Sequence, residues 1–241
     1  MKRILCCLSL AVLIASPALS QSSKDDAFKL IEVWLDAQKD YEELPGISAI
    51  AIHNQEVVWK GAVGMSNLEA GTSTTPATIG SICSISKLFT SVAIMKLYDE
   101  GKIRLDDKVD DLLPWYNLEQ QFPDSGPITV RSIMTHSSGL PREANYPYWT
   151  GPEFPFPSRD EVRQGLSDQE TLYPASTYFQ YSNLGLTLLG EIVEEVSGMP
   201  YDQYIQENIL TPLGLSNTRT VLPESMYGDD LAIGYSAITR S

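Results

Sequence analysis

The chain has 241 residues, 43% of them hydrophobic and 20% charged, and its 17 Lys and Arg stand against 31 Asp and Glu for a net charge of −14. That length suits one large domain or two small ones, and no low-complexity tract or internal repeat breaks the sequence. A surface this acidic repels polyanions, which excludes nucleic acid and anionic membrane as partners.

The first twenty residues read as a secretory signal peptide. Lys2 and Arg3 supply the charge, Ile4 to Ile14 an apolar core, and Ala18-Leu19-Ser20 the small residues for cleavage before Gln21. The apolar run is shorter than the roughly 20 residues that cross a bilayer. No integral span is expected once the leader is removed, and the predicted localisation is periplasmic or secreted. Removal takes Lys plus Arg from 17 to 15 against an unchanged 31 Asp plus Glu, about −16, and leaves Cys83 alone of three cysteines. Stability must then come from packing, since no intrachain disulfide is possible. Cys83 itself reads as a small buried hydrophobe.

A helix is predicted from about Lys24 to Tyr41, started by Ser23 with Asp26 in the manner of a capping box. Phe28, Ile31, Leu35 and Trp34 recur along it at helical spacing, and Pro45-Gly46 stops it. Ile47 to Ile52 and Val57 to Val63 read as two strands around a turn at His53-Asn54-Gln55. The first is nearly all small or apolar, the pattern of a strand covered on both faces. Ser84 opens the next helix, carried by Leu88, Val92, Met95 and Leu97 and ended by Gly101. The paired carboxylates Asp106-Asp107 and Asp110-Asp111 read as helix caps and solvated charge. Ile128 to Met134 is a short predicted helix, followed by Thr135-His136-Ser137-Ser138-Gly139-Leu140-Pro141. The stretch from Pro141 to Pro157 carries Tyr146, Tyr148, Trp149, Phe154 and Phe156 among prolines. It reads equally as a lid over a site or as aromatic packing on a helical core. Asn183 to Ser197 is a strong helix with Leu186, Leu189, Ile192, Val193 and Val196 inside and Gly198 as its cap. Tyr201 to Leu210 is another.

Ser84 and Lys87 lie one helical turn apart in Gly80-Ser81-Ile82-Cys83-Ser84-Ile85-Ser86-Lys87, and Tyr181-Ser182-Asn183 opens a later helix. S-x-x-K followed by Y-x-N is the skeleton of a serine acyl-transfer site that moves protons with Lys and Tyr. A serine hydroxyl needs a base beside it. An amine three residues on shares nearly the same helical face. That amine must be uncharged to accept a proton, and burial together with the positive end of the helix disfavours its ammonium form. The backbone N–H of Ser84 at the helix start points to where an oxyanion would develop. Tyr181 is the natural proton relay, and Asn183 a donor to the substrate carbonyl or to Lys87. A Ser-His-Asp triad is disfavoured, because no G-x-S-x-G occurs, and His136 reads as a hydrogen-bonded structural residue. Two histidines without a Cys cluster argue against a zinc site, and no Gly-rich loop cradles a phosphate. No metal or cofactor is therefore expected, and the oligomeric state is not legible.

The segments IGSICSISKLFTSVAIMKLYDEGKIRLDDKVDDLLPWY, ITVRSIMTHSSGLP and YFQYSNLGLTLLGEIVEEVSGMPYDQYIQENILTPLGLSNT resemble the serine β-lactamase family of the class C type. That family also takes in D-alanyl-D-alanine carboxypeptidases, penicillin-binding proteins and lipase-like esterases. The resemblance covers about Ala27 to Tyr235. It implies an α+β, β-lactamase/transpeptidase-like fold in which a helical region accompanies an antiparallel sheet with flanking helices. It also implies Ser84 as nucleophile, Lys87 as its base, Tyr181 in the second motif and Asn183 as a substrate-binding residue. The expected substrate is a small molecule or peptide: a β-lactam, a D-Ala peptide or an ester. No Lys follows Lys108 and no His follows His136, so the K-T-G or H-x-G strand of that family does not occur in these residues. Set against the family fold, the C-terminal strands are missing and the chain reads as C-terminally truncated. The predicted organisation is a leader over 1–20 and a hydrolase domain over 21–241, with the helix and hairpin at 21–80 and the helical part at 81–225. The alternative expectation is a truncated, non-catalytic product that binds penicillin or peptide.

Overall fold

The computed structural model describes residues 16–148, 155–227 and 231–235. The chain divides into two compact units, residues 1–81 with 222–241 and residues 82–221.

The first unit holds helix α1 (Ser16–Tyr41) and strands β1 (Gly46–His53), β2 (Glu56–Asn67) and β3 (Thr72–Ser73), paired antiparallel in the order β1-β2-β3. The helix runs straight through Ser23, so that residue does not cap it. It takes in residues 16–20 of the predicted leader, while residues 1–15 lie outside the described part. Leu35 is buried, Phe28 and Ile31 are half-buried, and the Phe28 ring stacks on Trp59 at 6.3 Å and 14°. Trp34, read as an inward residue, stays 59% exposed. The hairpin closes through Asn54 and Gln55, both left-handed at φ 48 and 65. That is the primed two-residue turn whose twist matches antiparallel strands. A bulge at Val58 offsets the register between Ala51/Trp59 and Ile52/Val57. β1 is not covered on both faces as expected. It alternates, with Ile47, Ala49 and Ala51 half-buried and Ile50 and Ile52 exposed. Residues 231–235 tie back into this unit. Ile79 and Leu231 form a parallel bridge, and the Tyr235 hydroxyl donates to Glu69 at 2.5 Å while accepting from the Leu68 amide at 2.7 Å.

The second unit is helical. A 3₁₀ turn (Cys83–Ile85) leads into α2 (Ser86–Asp99), followed by α3 (Val109–Leu112), α4 (Val130–Met134), α5 (Arg159–Gly165) and α6 (Asn183–Ser197). Last comes α7 (Tyr201–Ile205), which widens into a π turn at Gln206–Leu210. α6 is the centre of the core and is capped as expected, with Gly198 left-handed at φ 69. Its Leu188, Leu189 and Ile192 are fully buried beside Ala93, Ile94 and Leu97 of α2 and Val130 and Ile133 of α4. Burying one such leucine or isoleucine stabilises by about 1.5–3 kcal/mol, so this unit is held by its apolar interior. Gly185 lets α4 come close, since a Cβ there would meet Ile133 Cγ2 at 2.9 Å.

The inward face of α2 differs from the one expected. Leu97 is buried, but Leu88 is 65% and Val92 47% exposed. Thr90, Ala93 and Ile94 turn inward instead, with Thr90 Oγ1 bonded to the Tyr201 hydroxyl at 2.7 Å. Small residues on this face allow α2 to lie near α6.

α5 was not anticipated, although Ser158 and Glu161 form a reciprocal capping box at its start. Arg159 and Arg163 fasten it to Glu191 of α6 at 2.6 and 2.5 Å. Of the aromatic stretch before it, Tyr148 meets Tyr146 and Phe156 edge-on at 5.8 and 6.0 Å and packs on the core. Trp149 and Phe154 lie outside the described residues. The paired aspartates serve local structure: Asp107 accepts from the Arg104 amide at 2.7 Å and Asp106 from Arg131 at 2.9 Å. Among the described residues no three His, Cys, Asp or Glu are grouped to hold a metal ion, and no helix is long and apolar enough to cross a membrane.

Candidate active site

Ser84 sits in the 3₁₀ turn two residues before α2 begins, exposed to solvent. The turn is entered through Cys83, which is left-handed at φ 45. A non-glycine residue in that region costs about 1–3 kcal/mol and is retained where surroundings impose it. Cys83 is exposed, not the buried hydrophobe its sequence suggested. The strained step presents the following side chain at the head of the helix.

Lys87 lies three residues along, half-buried, and its Nζ donates to Ser84 Oγ at 3.1 Å. Ninety-seven residues beyond Ser84, the Tyr181 hydroxyl donates to the same oxygen at 2.8 Å. The lysine Nζ also stands 5.0 Å from the centre of the tyrosine ring, and so does the Arg142 guanidinium carbon. Hydrogen bonding to Lys87, then to Ser84, holds the Tyr181 phenol below its ordinary value of 10.0, and the positive charges of Lys87 and Arg142 add to the effect. Both neighbours therefore donate to the serine oxygen, and one must shed a proton before it can take the serine's.

Asn183 is brought to the same region but does not reach Lys87. Its Nδ2 donates to Glu143 Oε1 at 2.6 Å, and Arg142 Nε lies 3.5 Å from that carboxylate. Neither Arg142 nor Glu143 was singled out from the sequence. Both directly follow the Gly139-Leu140-Pro141 turn, and their partners are some forty residues away.

That turn explains how Tyr181 is delivered. Residues 136–142 and 172–184 run alongside one another, joined by main-chain hydrogen bonds. Leu172 donates to Gly139 O at 2.8 Å, Ser176 to Ser137 O at 2.7 Å, Gln180 to His136 O at 2.7 Å and Asn183 to Arg142 O at 2.7 Å. Ser182 Oγ adds a bond to Pro141 O at 2.6 Å and caps α6 by accepting from the Gly185 amide at 2.8 Å. The segments approach so closely at Gly139, φ 78, that a Cβ there would stand 2.0 Å from Tyr173 O. His136, expected to be structural, is hydrogen-bonded: its Nδ1 accepts from the Ser182 amide at 3.2 Å.

Comparison with known proteins bears on the same residues. A family model described as Beta-lactamase matches residues 34–235. The chain is 31% identical over 187 residues to Beta-lactamase-like protein 2 of Dictyostelium discoideum, covering 76% of this chain and 33% of that protein. It is 34% identical over 143 residues to the D-alanyl-D-alanine-carboxypeptidase/endopeptidase AmpH of Escherichia coli strain K12, covering 57% and 35%. Among solved structures, the octameric penicillin-binding protein homologue from Pyrococcus abyssi superimposes with a TM-score of 0.76 at 32% identity, covering 88% of this chain and 48% of that one. The chain thus spans between a third and a half of the length of these relatives.

Proposed function

The chain belongs to the beta-lactamase family, and from that premise we propose that it is a serine hydrolase forming an acyl-enzyme at Ser84. The observation that carries this reading is the convergence of Lys87 Nζ and the Tyr181 hydroxyl on Ser84 Oγ, at 3.1 and 2.8 Å. Ser84 Oγ attacks a carbonyl carbon and its proton passes to the Lys87–Tyr181 pair. Lys87 is the base, and the acidified Tyr181 phenol is the relay that protonates the leaving group. The Ser84 amide at the head of the helix stabilises the oxyanion. Water then cleaves the ester at Ser84, and the same pair returns the proton.

The substrate is a small molecule or peptide with an activated or terminal acyl bond: a β-lactam, a D-alanyl peptide or an ester. All three share the acylation step, and they differ in how water meets the acyl-enzyme. Asn183, whose amide donates to Glu143 Oε1, is the substrate-binding residue in this reading. The leader-like first twenty residues support export to the periplasm or medium, and an exported product beginning at Gln21 in its N-terminal sequence is the check.

Acylation is tested with a labelled penicillin or fluorophosphonate. Label on the wild type and none on Ser84→Ala is the expected result; equal labelling of both overturns the reading. A second reading is binding without turnover. Turnover of a chromogenic lactam or short ester eliminates it.

A further inference from the structure

His136 touches four consecutive residues, Phe179 to Ser182, of the segment that carries Tyr181 to Ser84. Its ring meets Phe179 edge-on at 5.8 Å and 78°, and lies against Tyr181 at 4.5 Å and 33°. Its carbonyl accepts from the Gln180 amide at 2.7 Å, and its Nδ1 accepts from the Ser182 amide at 3.2 Å. Four consecutive residues are thus held by one, which itself takes a left-handed backbone at φ 54.

A ring nitrogen that accepts a hydrogen bond carries no proton, so Nδ1 is bare and the proton of the neutral imidazole sits on Nε2. We infer that His136 is a positioning residue for the Ser84 site: its neutral, Nε2-protonated ring holds Tyr181 at the serine, and protonation of Nδ1 releases it. This rests on the acyl-transfer reading above and adds a group that touches neither substrate nor nucleophile.

The reasoning is steric and electrostatic. Once protonated, Nδ1 presents an N–H to the Ser182 N–H, and an acceptor bond becomes a clash of two donors. The charged and titratable groups facing the imidazole are Lys87 from α2 and Tyr181 from the segment before α6, with Arg142 set against the same tyrosine ring. The Glu143 carboxylate is engaged by Arg142 and Asn183, and of these groups Lys87 opposes a charged ring. Partial burial and then the Lys87 charge hold His136 below the ordinary 6.5. The neutral, holding form is therefore present at neutral pH, persists below 6.5 and is lost as pH falls through the histidine's own, lower value.

The experiment separates holding from titration. The rate of Ser84 labelling by a fluorophosphonate is followed from about pH 4 to about pH 9 in the wild type, His136→Asn and His136→Phe. Asn suits the left-handed backbone, and its Oδ1 accepts the Ser182 amide without titrating. His136→Asn is expected to label within about threefold of wild type near neutrality and to hold that rate to lower pH than the wild type, whose rate falls first as the histidine protonates. His136→Phe keeps an aromatic ring without the acceptor and is expected to label at least about tenfold more slowly throughout. A wild-type acid limb in His136→Asn, or a wild-type rate in His136→Phe, overturns the inference. A second readout does not depend on activity. The chain holds two histidines, so nitrogen-15 spectra of the wild type report the His136 tautomer and its titration. The Nε2–H tautomer is expected, with Tyr181 ring signals shifting as His136 protonates. An Nδ1–H tautomer, or an indifferent Tyr181, rejects the idea even if a variant fails to fold. If the wild type takes no label at Ser84, the acyl-transfer reading fails while the spectra still decide on His136.

Discussion

The two units bury their apolar residues very differently. In the helical unit, Leu188, Leu189, Ile192, Ile94 and Leu97 are closed off from solvent. In the unit of α1 and the sheet, Leu35 is the one apolar residue of comparable burial among the described residues, while Ile50, Ile52, Val57, Leu30 and Val33 each stand more than half exposed. Ser84, Lys87 and Tyr181 all belong to the helical unit. The proposed chemistry therefore stands on the unit that holds the closed apolar interior. The sheet, three strands with one face of β1 open and the other half-buried, approaches the marginal stability of an isolated hairpin.

The largest expected effect tests whether the chemistry is confined to the helical unit. Lys87→Met removes a bond to Ser84 Oγ and should slow labelling by about 10³ or more, as loss of a base does, with little change in the melt. It also removes the first cause of the lowered Tyr181 phenol. The tyrosine should then ionise at higher pH, which its ring resonances will report. A labelling rate within tenfold of wild type would break the link between site and unit.

Core truncation comes next. Leu189→Ala in α6 should cost about 2–5 kcal/mol, read from denaturant unfolding. Gly139→Ala follows at roughly 1–3 kcal/mol, the scale of forced backbone strain, because a Cβ has no room beside Tyr173 O. Hydrogen exchange sharpens the contrast: α6 amides should exchange only with global unfolding, and β1 amides by local opening. The smallest effect is Ile52→Ala on the open strand, expected within about 0.5 kcal/mol. A cost near that of Leu189→Ala would abolish the difference between the units.

α6 was legible from sequence to its bounds, because apolar residues recur along it at helical spacing and Gly198 marks its end, although Leu184 and Leu188, also buried, were not among those expected inside. α2 was legible as a helix but not as an orientation. It is apolar nearly all round, so Leu88 and Val92 matched helical spacing as well as Ala93 and Ile94 did, and only the approach of α6 selects the second set. β1 was misread for a related reason: Ile47 to Ile52 holds small and apolar residues on both faces, and composition does not say which face is covered. At the site, the Ser84–Lys87 bond follows from spacing within one helix. The Tyr181 bond does not, since it depends on a path through His136 and Arg142. The pairing of Asn183 with Glu143 was hidden likewise, because a carboxylate after a proline turn looks like any solvated charge. α5 carried a readable signal in Ser158 and Glu161 that the surrounding prolines obscured.

The bonds that carry Tyr181 to the serine, from Leu172, Ser176, Gln180 and Asn183, are made by amides to carbonyls. Amides are common to every residue but proline, so this lattice does not read what hangs from it. Tyr178, Phe179 and Arg142 face solvent beside the tyrosine and can be exchanged without cutting any of those ties. In the proposed acyl transfer, molecular taste is thereby uncoupled from reactivity. A lineage built on such a frame can drift among acyl compounds while proton transfer persists, and a proline at 172, 176, 180 or 183 is the change it cannot absorb.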